Sequence, residues 1–261
     1  MTSRTIFITG AAAGIGRATA LTFARAGWTV GGYDVDEAGL ASLATEVAAS
    51  GATAITARLD VSDSAAFAAA VGDFVERTGR LDVLLNNAGI LNAGRFEDID
   101  VARHQREVDV NVRGVVNGLH AAHPHLRPGS TVVNLASASA IYGQAELANY
   151  SATKFFVRGI TEALDLEWGA QGIRVVSLWP LFVETAMTQG VSTGTTESLG
   201  IHLGPQDVAD QVLAAVTPSR LARTLHQVHF PVGRQTRALS LGSRFSPAWL
   251  TRLVNKRLAS H

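Results

Sequence analysis

Tyr150 and Lys154 stand four residues apart in Tyr150-Ser151-Ala152-Thr153-Lys154. On a helix, that spacing puts a phenol and an ammonium on one face. A free phenol titrates at about 10, too high for an efficient base at neutral pH. A neighbouring ammonium stabilises the phenolate and lowers that value. The pair therefore suits proton transfer to and from an oxygen. Spacing alone makes this chemistry geometrically reasonable and no more, because a lone Tyr on an amphipathic helix usually belongs to a core or an interface.

A second group of residues suits a phosphate. The apolar run Thr5–Thr9 leads into Gly10-Ala11-Ala12-Ala13-Gly14-Ile15-Gly16 and then into a helical pattern. Glycines let the backbone turn tightly against a pyrophosphate, and the helix N-terminus supplies free N–H groups and partial positive charge. A glycine cluster is weak evidence by itself, but in the first turn of a strand–turn–helix it is much stronger. Asp34 ends the second strand, where an acid normally hydrogen-bonds the ribose 2′-hydroxyl of NAD. The same carboxylate would repel a 2′-phosphate, and neither Ala13 nor Val35 offers a basic group to hold one. NAD is therefore expected over NADP. Arg17 is left as a group that could rescue some NADP binding, and capping of the next helix is the plainer role for Asp34.

The elements that must position these residues alternate along the chain. Strands are expected at Thr5–Thr9, Thr29–Tyr33, Ala54–Leu59, Val83–Asn86, Thr131–Leu135, Arg174–Leu178 and Leu225–Phe230. Most are nearly continuous apolar runs, as in strands covered on both faces. Helical patterns fill the intervals: one from Gly14 to Gly27, one over Ala38–Ala49, and one over Ala65–Thr78 with Ser62 as a candidate N-cap. This alternation predicts an α/β fold, a Rossmann-type doubly wound, seven-stranded parallel sheet with helices on both faces. No linker, repeat or low-complexity block interrupts it, so residues 1–261 are expected to form a single dinucleotide-binding and catalytic domain. The least regular stretch, 184–203, is either a long surface loop or a mobile lid over the substrate.

The bulk composition narrows the classes. The chain is 47% hydrophobic and 17% charged, enough to bury a core. It has no cysteine, which excludes disulfides and thiolate metal sites and fits a reducing compartment. The N-terminus shows no secretory pattern and no run of 18 apolar residues occurs, so a cytoplasmic protein is expected. His120, His123 and His125 are the densest histidines, but no acids or cysteines accompany them, so no metal site is expected.

Taken in order, the motifs resemble those of the short-chain dehydrogenase/reductase family. The resemblance runs from Thr5 to about Thr185, with a looser fit to Phe230. It rests on the TGxxxGIG spacing of Thr9–Gly16, on Asp60-Val61, on Asn86-Asn87-Ala88-Gly89, on Asn111, and on Ser137 at the usual interval before the YxxxK motif of Tyr150 and Lys154. YxxxK alone is common by chance; the ordered set is highly specific. The resemblance implies that Tyr150 exchanges the substrate proton while hydride moves to or from nicotinamide, and that Ser137 holds the substrate oxygen, with Ser139 as the close alternative. It implies that Lys154 lowers the Tyr150 pKa and binds the nicotinamide ribose, and that Asn111 holds a water linking Lys154 to solvent. Cofactor contacts are implied for Gly10, Gly14, Ile15, Gly16, Asp34, Asp60 and Val61, for Asn87, Ala88 and Gly89, and for Tyr150, Lys154, Pro180, Val183 and Thr185. A homo-oligomer, dimer or tetramer, is implied through the two long central helices and the last strand.

Two departures stand out. Leu181 replaces the glycine that usually follows the Pro180 position, where it could crowd the nicotinamide or line the substrate side. Leu91, Ile141, Gln144, Leu147, Leu181, Phe182 and Met187 are expected on the pocket wall together with Ser137. Their mostly apolar character predicts a hydrophobic alcohol or ketone: aryl, alicyclic, terpenoid, steroid or long-chain. No basic pair is evident nearby to hold a substrate carboxylate or phosphate. The other departure is a basic extension, 231–261. All 22 acids lie at or before Asp210, so residues 1–210 carry a net −8 and residues 211–261 a net +8. Within the extension, Pro247–Leu258 reads as an amphipathic helix, with Trp249, Leu250, Leu253, Val254 and Leu258 on one face and Arg252 and Lys256 on the other. That apolar face is expected to pack on the protein or a subunit boundary. Contact with an anionic membrane is the competing placement. Nucleic-acid binding is not expected, because no recognised module accompanies the charge.

The pattern favours an NAD-dependent alcohol dehydrogenase or carbonyl reductase. An NAD-holding epimerase or dehydratase would ordinarily need a longer chain. A non-catalytic NAD-binding protein would have no need of the phenol–ammonium pair.

Overall fold

The computed structural model describes residues 3–189, 193–194, 200, 202–218 and 226–259. Seven strands form one parallel sheet: β1 (Thr5–Thr9), β2 (Thr29–Asp34), β3 (Ala54–Arg58), β4 (Val83–Asn86), β5 (Thr131–Leu135), β6 (Arg174–Trp179) and β7 (His229–Pro231). Their spatial order is β3-β2-β1-β4-β5-β6-β7. The architecture is the Rossmann-type doubly wound sheet.

The continuous apolar runs follow from burial on both faces. Ile6 and Ile8 of β1 belong to one core with Ala20 and Phe23 of α1 (Gly14–Arg25), Leu43 of α2 (Glu37–Ala49) and Val208 and Val212. Phe7, between them, points into the opposite core with Phe67 and Phe74 of α3 (Ser64–Thr78). It stacks on Tyr33 at 4.0 Å between ring centroids. Successive side chains of a strand face opposite sides, so one run feeds two cores. The order of strands reverses at β1, whose Ile6 pairs with Val30 of β2 on one side and Val83 of β4 on the other. A crevice opens at the carboxyl ends of the strands at such a switch point.

A long helix is interrupted where the site begins. Helix α4 (Val101–Val108) passes through a π-helical turn, Asp109–Arg113, into α5 (Gly114–Ala122). Helix α6 (Ala148–Gly169) carries Tyr150 and Lys154. Helices α7 (Pro205–Val216), α8 (Arg234–Phe245) and α9 (Ala248–Ala259) follow.

Several boundaries differ from expectation. The last strand is shorter and later than Leu225–Phe230: pairing with β6 begins at Ser177↔His229 and ends at Trp179↔Pro231, and Leu225 lies outside the described residues. Pro231 has no N–H to donate, which suits an edge strand. The cap of α3 is Asp63, whose carboxylate accepts from the Ala66 N–H at 2.9 Å. Ser62 is instead held by Asp60 and Arg106. The C-terminal helix forms where its pattern predicts, and of its apolar face Leu250 is half-buried while Trp249 and Leu253 stay in solvent. Leu241 and Phe245 of α8 are exposed as well. The side chains of Val254 and Leu258 lie outside the described residues. Asn255 ties the helix to the body, its Nδ2 donating to the Gly143 oxygen at 3.4 Å.

The 184–203 stretch is described only in part, with 190–192, 195–199 and 201 outside the described residues. Its two ends are tied together by a parallel bridge between Val183 and Leu203. Gly194 N–H donates to the Glu146 carboxylate at 3.3 Å.

Candidate active site

The glycine loop closes on the turn after β4. Gly10 has a φ of +67°, and a Cβ there would lie 2.8 Å from Asn87 Nδ2 and 2.9 Å from Ala88 Cα. At Gly16 a Cβ would fall 2.0 Å from the Gly10 oxygen. The loop therefore has no room for side chains at its two ends. Asn87 Nδ2 donates to the Thr9 and Gly10 carbonyls at 2.8 and 3.1 Å. The Thr9 hydroxyl accepts from the Asn87 and Ala88 N–H groups at 3.0 and 3.1 Å. Thr9 locks the two phosphate-side turns together; only its place in the loop spacing marked it in the sequence.

The Asp34 carboxylate accepts from the Ala12 N–H at 3.0 Å and the Asp36 N–H at 3.1 Å. It does not cap α2; Asp36 does, through the Gly39 N–H. Arg17 turns away to Glu46 at 2.8 Å, Ser42 at 3.0 Å and the Gly39 carbonyl at 3.2 Å. At the next strand end, burial pushes the Asp60 pKa up, but bonds from Ser62 and the Arg106 guanidinium outweigh it and hold the carboxyl low.

These groups line a crevice of about 370 Å³, within the range of small-molecule sites. Gly10, Gly14, Ile15 and Asp34 border it near β1 and β2, and Asp60 and Val61 near β3. Asn87, Ala88, Gly89 and Leu91 border it after β4. On the far side lie Ser137, Tyr150 and Lys154, then Pro180, Leu181, Phe182, Val183, Thr185 and Met187. Gly16 sits beneath the loop. Ile141 and Leu147 stand behind the wall, packed with Tyr150, Leu181 and Phe182. Leu181 thus joins an apolar cluster on the wall. Gln144 lines a different cavity.

At the centre, Tyr150 and Ser137 line the crevice together, and the serine acts to lower the phenol pKa. Ser139 supports Ser137 from behind, its N–H at 3.1 Å and its hydroxyl at 3.2 Å from Ser137 Oγ. Lys154 Nζ donates to the Leu135 carbonyl at 2.9 Å and stands 5.4 Å from the Tyr150 ring centroid. Burial pushes the Tyr150 phenol up to about 12; Ser137 lowers it and Glu107 raises it. Burial pushes Lys154 down to about 8, against a raising effect of Glu107. This reverses the expected direction for the phenol, because desolvation outweighs a cation placed over the ring instead of at the hydroxyl.

Asn111 lies behind Lys154 in the π turn. Its Oδ1 accepts from the Ile90 N–H at 2.9 Å, and its Nδ2 donates to the Ile90 carbonyl at 2.9 Å and to Thr153 Oγ1 at 3.2 Å. One turn earlier, Glu107 is fully buried. It accepts from the Asn92 N–H at 2.8 Å and Asn149 Nδ2 at 2.6 Å. Burial pushes its pKa up, partly offset by those two bonds. Nothing in the local sequence singles out Glu107, which becomes a neighbour of Lys154 only through folding.

Among the described residues, no group of three or more His, Asp or Glu converges on a metal-sized site. Among the same residues, no helix is long and apolar enough to cross a membrane.

The short chain dehydrogenase family model matches residues 4–196. The trans-4-hydroxycyclohexanecarboxylate dehydrogenase of Sinomonas cyclohexanicum is 36% identical over 214 residues, covering 79% of this chain and 83% of the relative. The crystal structure of a 3-ketoacyl-(acyl-carrier-protein) reductase from Brucella melitensis, complexed with NADH, is similar with a TM-score of 0.79 and 32% identity, covering 88% of this chain and 96% of that one. A short chain dehydrogenase from Burkholderia cenocepacia J2315, in complex with NADP, matches with a TM-score of 0.81 and 29% identity over 89% and 96% of the two chains.

Proposed function

The chain belongs to the short-chain dehydrogenase family, and on that premise we propose that it moves a hydride between NAD(H) and a hydrophobic secondary alcohol or ketone. The observation that carries this reading is the gathering of Ser137, Tyr150 and Lys154 on the wall of a crevice whose opposite end is the glycine loop. The crevice fits a dinucleotide: the loop leaves a bare backbone cradle that a Cβ at Gly10 would fill, and Asp34 stands where a ribose hydroxyl would be met. When bound, the nicotinamide supplies the hydride acceptor or donor.

The chain's own residues do the rest. Gly10, Gly14, Ile15 and Gly16 form the pyrophosphate turn. Asp34 takes the ribose 2′-hydroxyl and disfavours a 2′-phosphate. Asp60, Val61, Asn87, Ala88 and Gly89 flank the adenosine and central part, while Pro180, Val183 and Thr185 flank the nicotinamide. Ser137 holds the substrate oxygen, and Tyr150 accepts the alcohol proton or returns it. Lys154 binds the ribose beside Tyr150. The preference for NAD is supported by Arg17, whose guanidinium is engaged by Glu46, Ser42 and Gly39.

A hydrophobic alcohol or ketone is supported by Leu181, Phe182 and Met187 on the crevice wall beyond Tyr150. The relative acting on a hydroxycyclohexanecarboxylate supports an alicyclic body. A homo-oligomer, dimer or tetramer, is supported by exposed Val108 and Val116 along α4–α5 and exposed Phe155 and Leu166 on α6. The cysteine-free composition supports a cytoplasmic setting.

The test is NADH formation at alkaline pH from a panel of alicyclic and aryl secondary alcohols, with NADP in parallel. Turnover with NAD at least tenfold above NADP is expected. Equal rates with both would remove the assigned role of Asp34. Silence with both, while NADH still binds, would remove the proposed substrate class.

A further inference from the structure

A second cavity lies beside the first, between the segment before α6 and the C-terminal helix. It measures about 260 Å³. One wall is Tyr142–Ala145. The other is α9, which contributes Asn255, half-buried, and the exposed Arg252 and Lys256. We propose that this cavity is a binding site for a carboxylate.

Three independent observations support it. First, the inner wall holds unused polar groups. Gln144 is only 4% exposed and Tyr142 8%, and the phenol and the amide have only each other: neither side chain has a partner outside this pair, which leaves most of the amide's hydrogen-bonding capacity unused. Buried polar groups are ordinarily satisfied, and orphans call for an explanation such as an absent ligand. Second, Arg252 and Lys256, one turn apart and exposed to solvent, line the same cavity as Gln144 and Tyr142, so a guanidinium fork and an ammonium border the space in front of the amide and the phenol. That set is rich in donors, and a guanidinium matches a carboxylate in a bidentate geometry. Third, no acid competes. Among the described residues, neither Arg252 nor Lys256 has an acidic partner. The chain has no Asp or Glu after Asp210. Glu146, the nearest acid in sequence, is engaged by the Gly194 N–H and is not part of the wall.

The cavity is physically joined to the reacting groups. The Gln144 N–H donates to Ser151 Oγ at 3.2 Å, and Ser151 follows Tyr150 on α6. Ile141 and Leu147, on either side of the polar wall, pack in the apolar cluster that contains Tyr150, Leu181 and Phe182. A carboxylate bound here is either the far end of an alcohol whose apolar body lies along that cluster, or a free organic acid that reports on the same segment.

Calorimetry with cyclohexanecarboxylate, which has no hydroxyl to oxidise, tests the site without requiring turnover. The NADH-loaded protein is expected to bind it and to ignore the neutral cyclohexanecarboxamide. An Arg252→Gln/Lys256→Gln double variant, altered only at exposed positions, is expected to bind at least tenfold more weakly. Gln144→Leu is expected to weaken binding while leaving NADH affinity within twofold. Absence of binding, or binding unchanged in the double variant, would overturn the proposal. The source is read separately. Competitive inhibition of a neutral alcohol marks the substrate's own carboxylate; an unchanged KM marks a free acid. Because the calorimetric result does not depend on hydride transfer, failure of the site and failure of the proposed reaction are distinguishable.

Discussion

Burial moves the two central groups in opposite directions, the Tyr150 phenol up to about 12 and the Lys154 ammonium down to about 8. Both shifts favour the neutral form, as desolvation does. For Lys154 the consequence for stability has a definite sign. Between its folded pKa near 8 and its ordinary value of 10.5, the unfolded chain holds a proton that the folded protein has lost. Stability should therefore rise with pH from about 8, by up to about 2 kcal/mol near pH 9.5. Above about 10 the raised phenol acts the other way: the folded protein keeps a proton that the unfolded chain has lost, and stability falls. Urea unfolding at pH 7.5, 8.5 and 9.5 should show the rise in the natural protein and not in Lys154→Met. Chemistry gives a second check at this scale. Tyr150→Phe should lower kcat/KM by roughly 10²–10⁴-fold, with NADH affinity, read by fluorescence, within a few fold. Wild-type turnover in that variant would remove Tyr150 from the mechanism.

At the scale of the element, the π turn Asp109–Arg113 does what a regular helix would not. It widens the backbone where Asn111 must grip both the N–H and the C=O of Ile90 and also reach Thr153 on α6. Such turns inside α-helices often mark functional places. The turn after β4 is thereby fixed against the helix that carries Tyr150 and Lys154. Asn111→Ala should leave the Ile90 groups without partners and cost about 1–3 kcal/mol, measured by urea unfolding. If the role is positioning, kcat should fall further than this loss explains, even where the variant is fully folded. An unchanged kcat would restrict Asn111 to stability.

Across the whole molecule, exposed apolar side chains on α4–α5 and α6 set the expectation for assembly. Leu166 is 81% exposed and Phe155 41%, and side chains of this size on helices of a parallel α/β protein suit a subunit boundary. Light scattering should find an oligomer, and Phe155→Arg/Leu166→Glu should shift it toward monomer. An unaffected oligomer would move the boundary elsewhere, the exposed Phe245 and Trp249 on the C-terminal helices being the next surface to examine.

Local physics made part of this protein legible in its sequence. A strand buried on both faces is apolar along its length, and a turn pressed on another backbone must be glycine, so β1, β4, β5 and β6 and the loop Gly10–Gly16 could be read directly. Tyr150 and Lys154 were legible for a similar reason, since a four-residue interval fixes a shared helix face. What only the tertiary structure decided depends on groups distant in the chain. The direction of the Tyr150 shift follows from desolvation, which no interval encodes. Glu107 is recruited by packing against Asn92 and Asn149. The C-terminal helix shows the limit most plainly. Its pattern gives two faces, but which one turns inward depends on what waits there. The Gly143 carbonyl takes a hydrogen bond from Asn255, and Arg252 and Lys256 come to border the cavity of Gln144 and Tyr142, a place the sequence left without a basic pair.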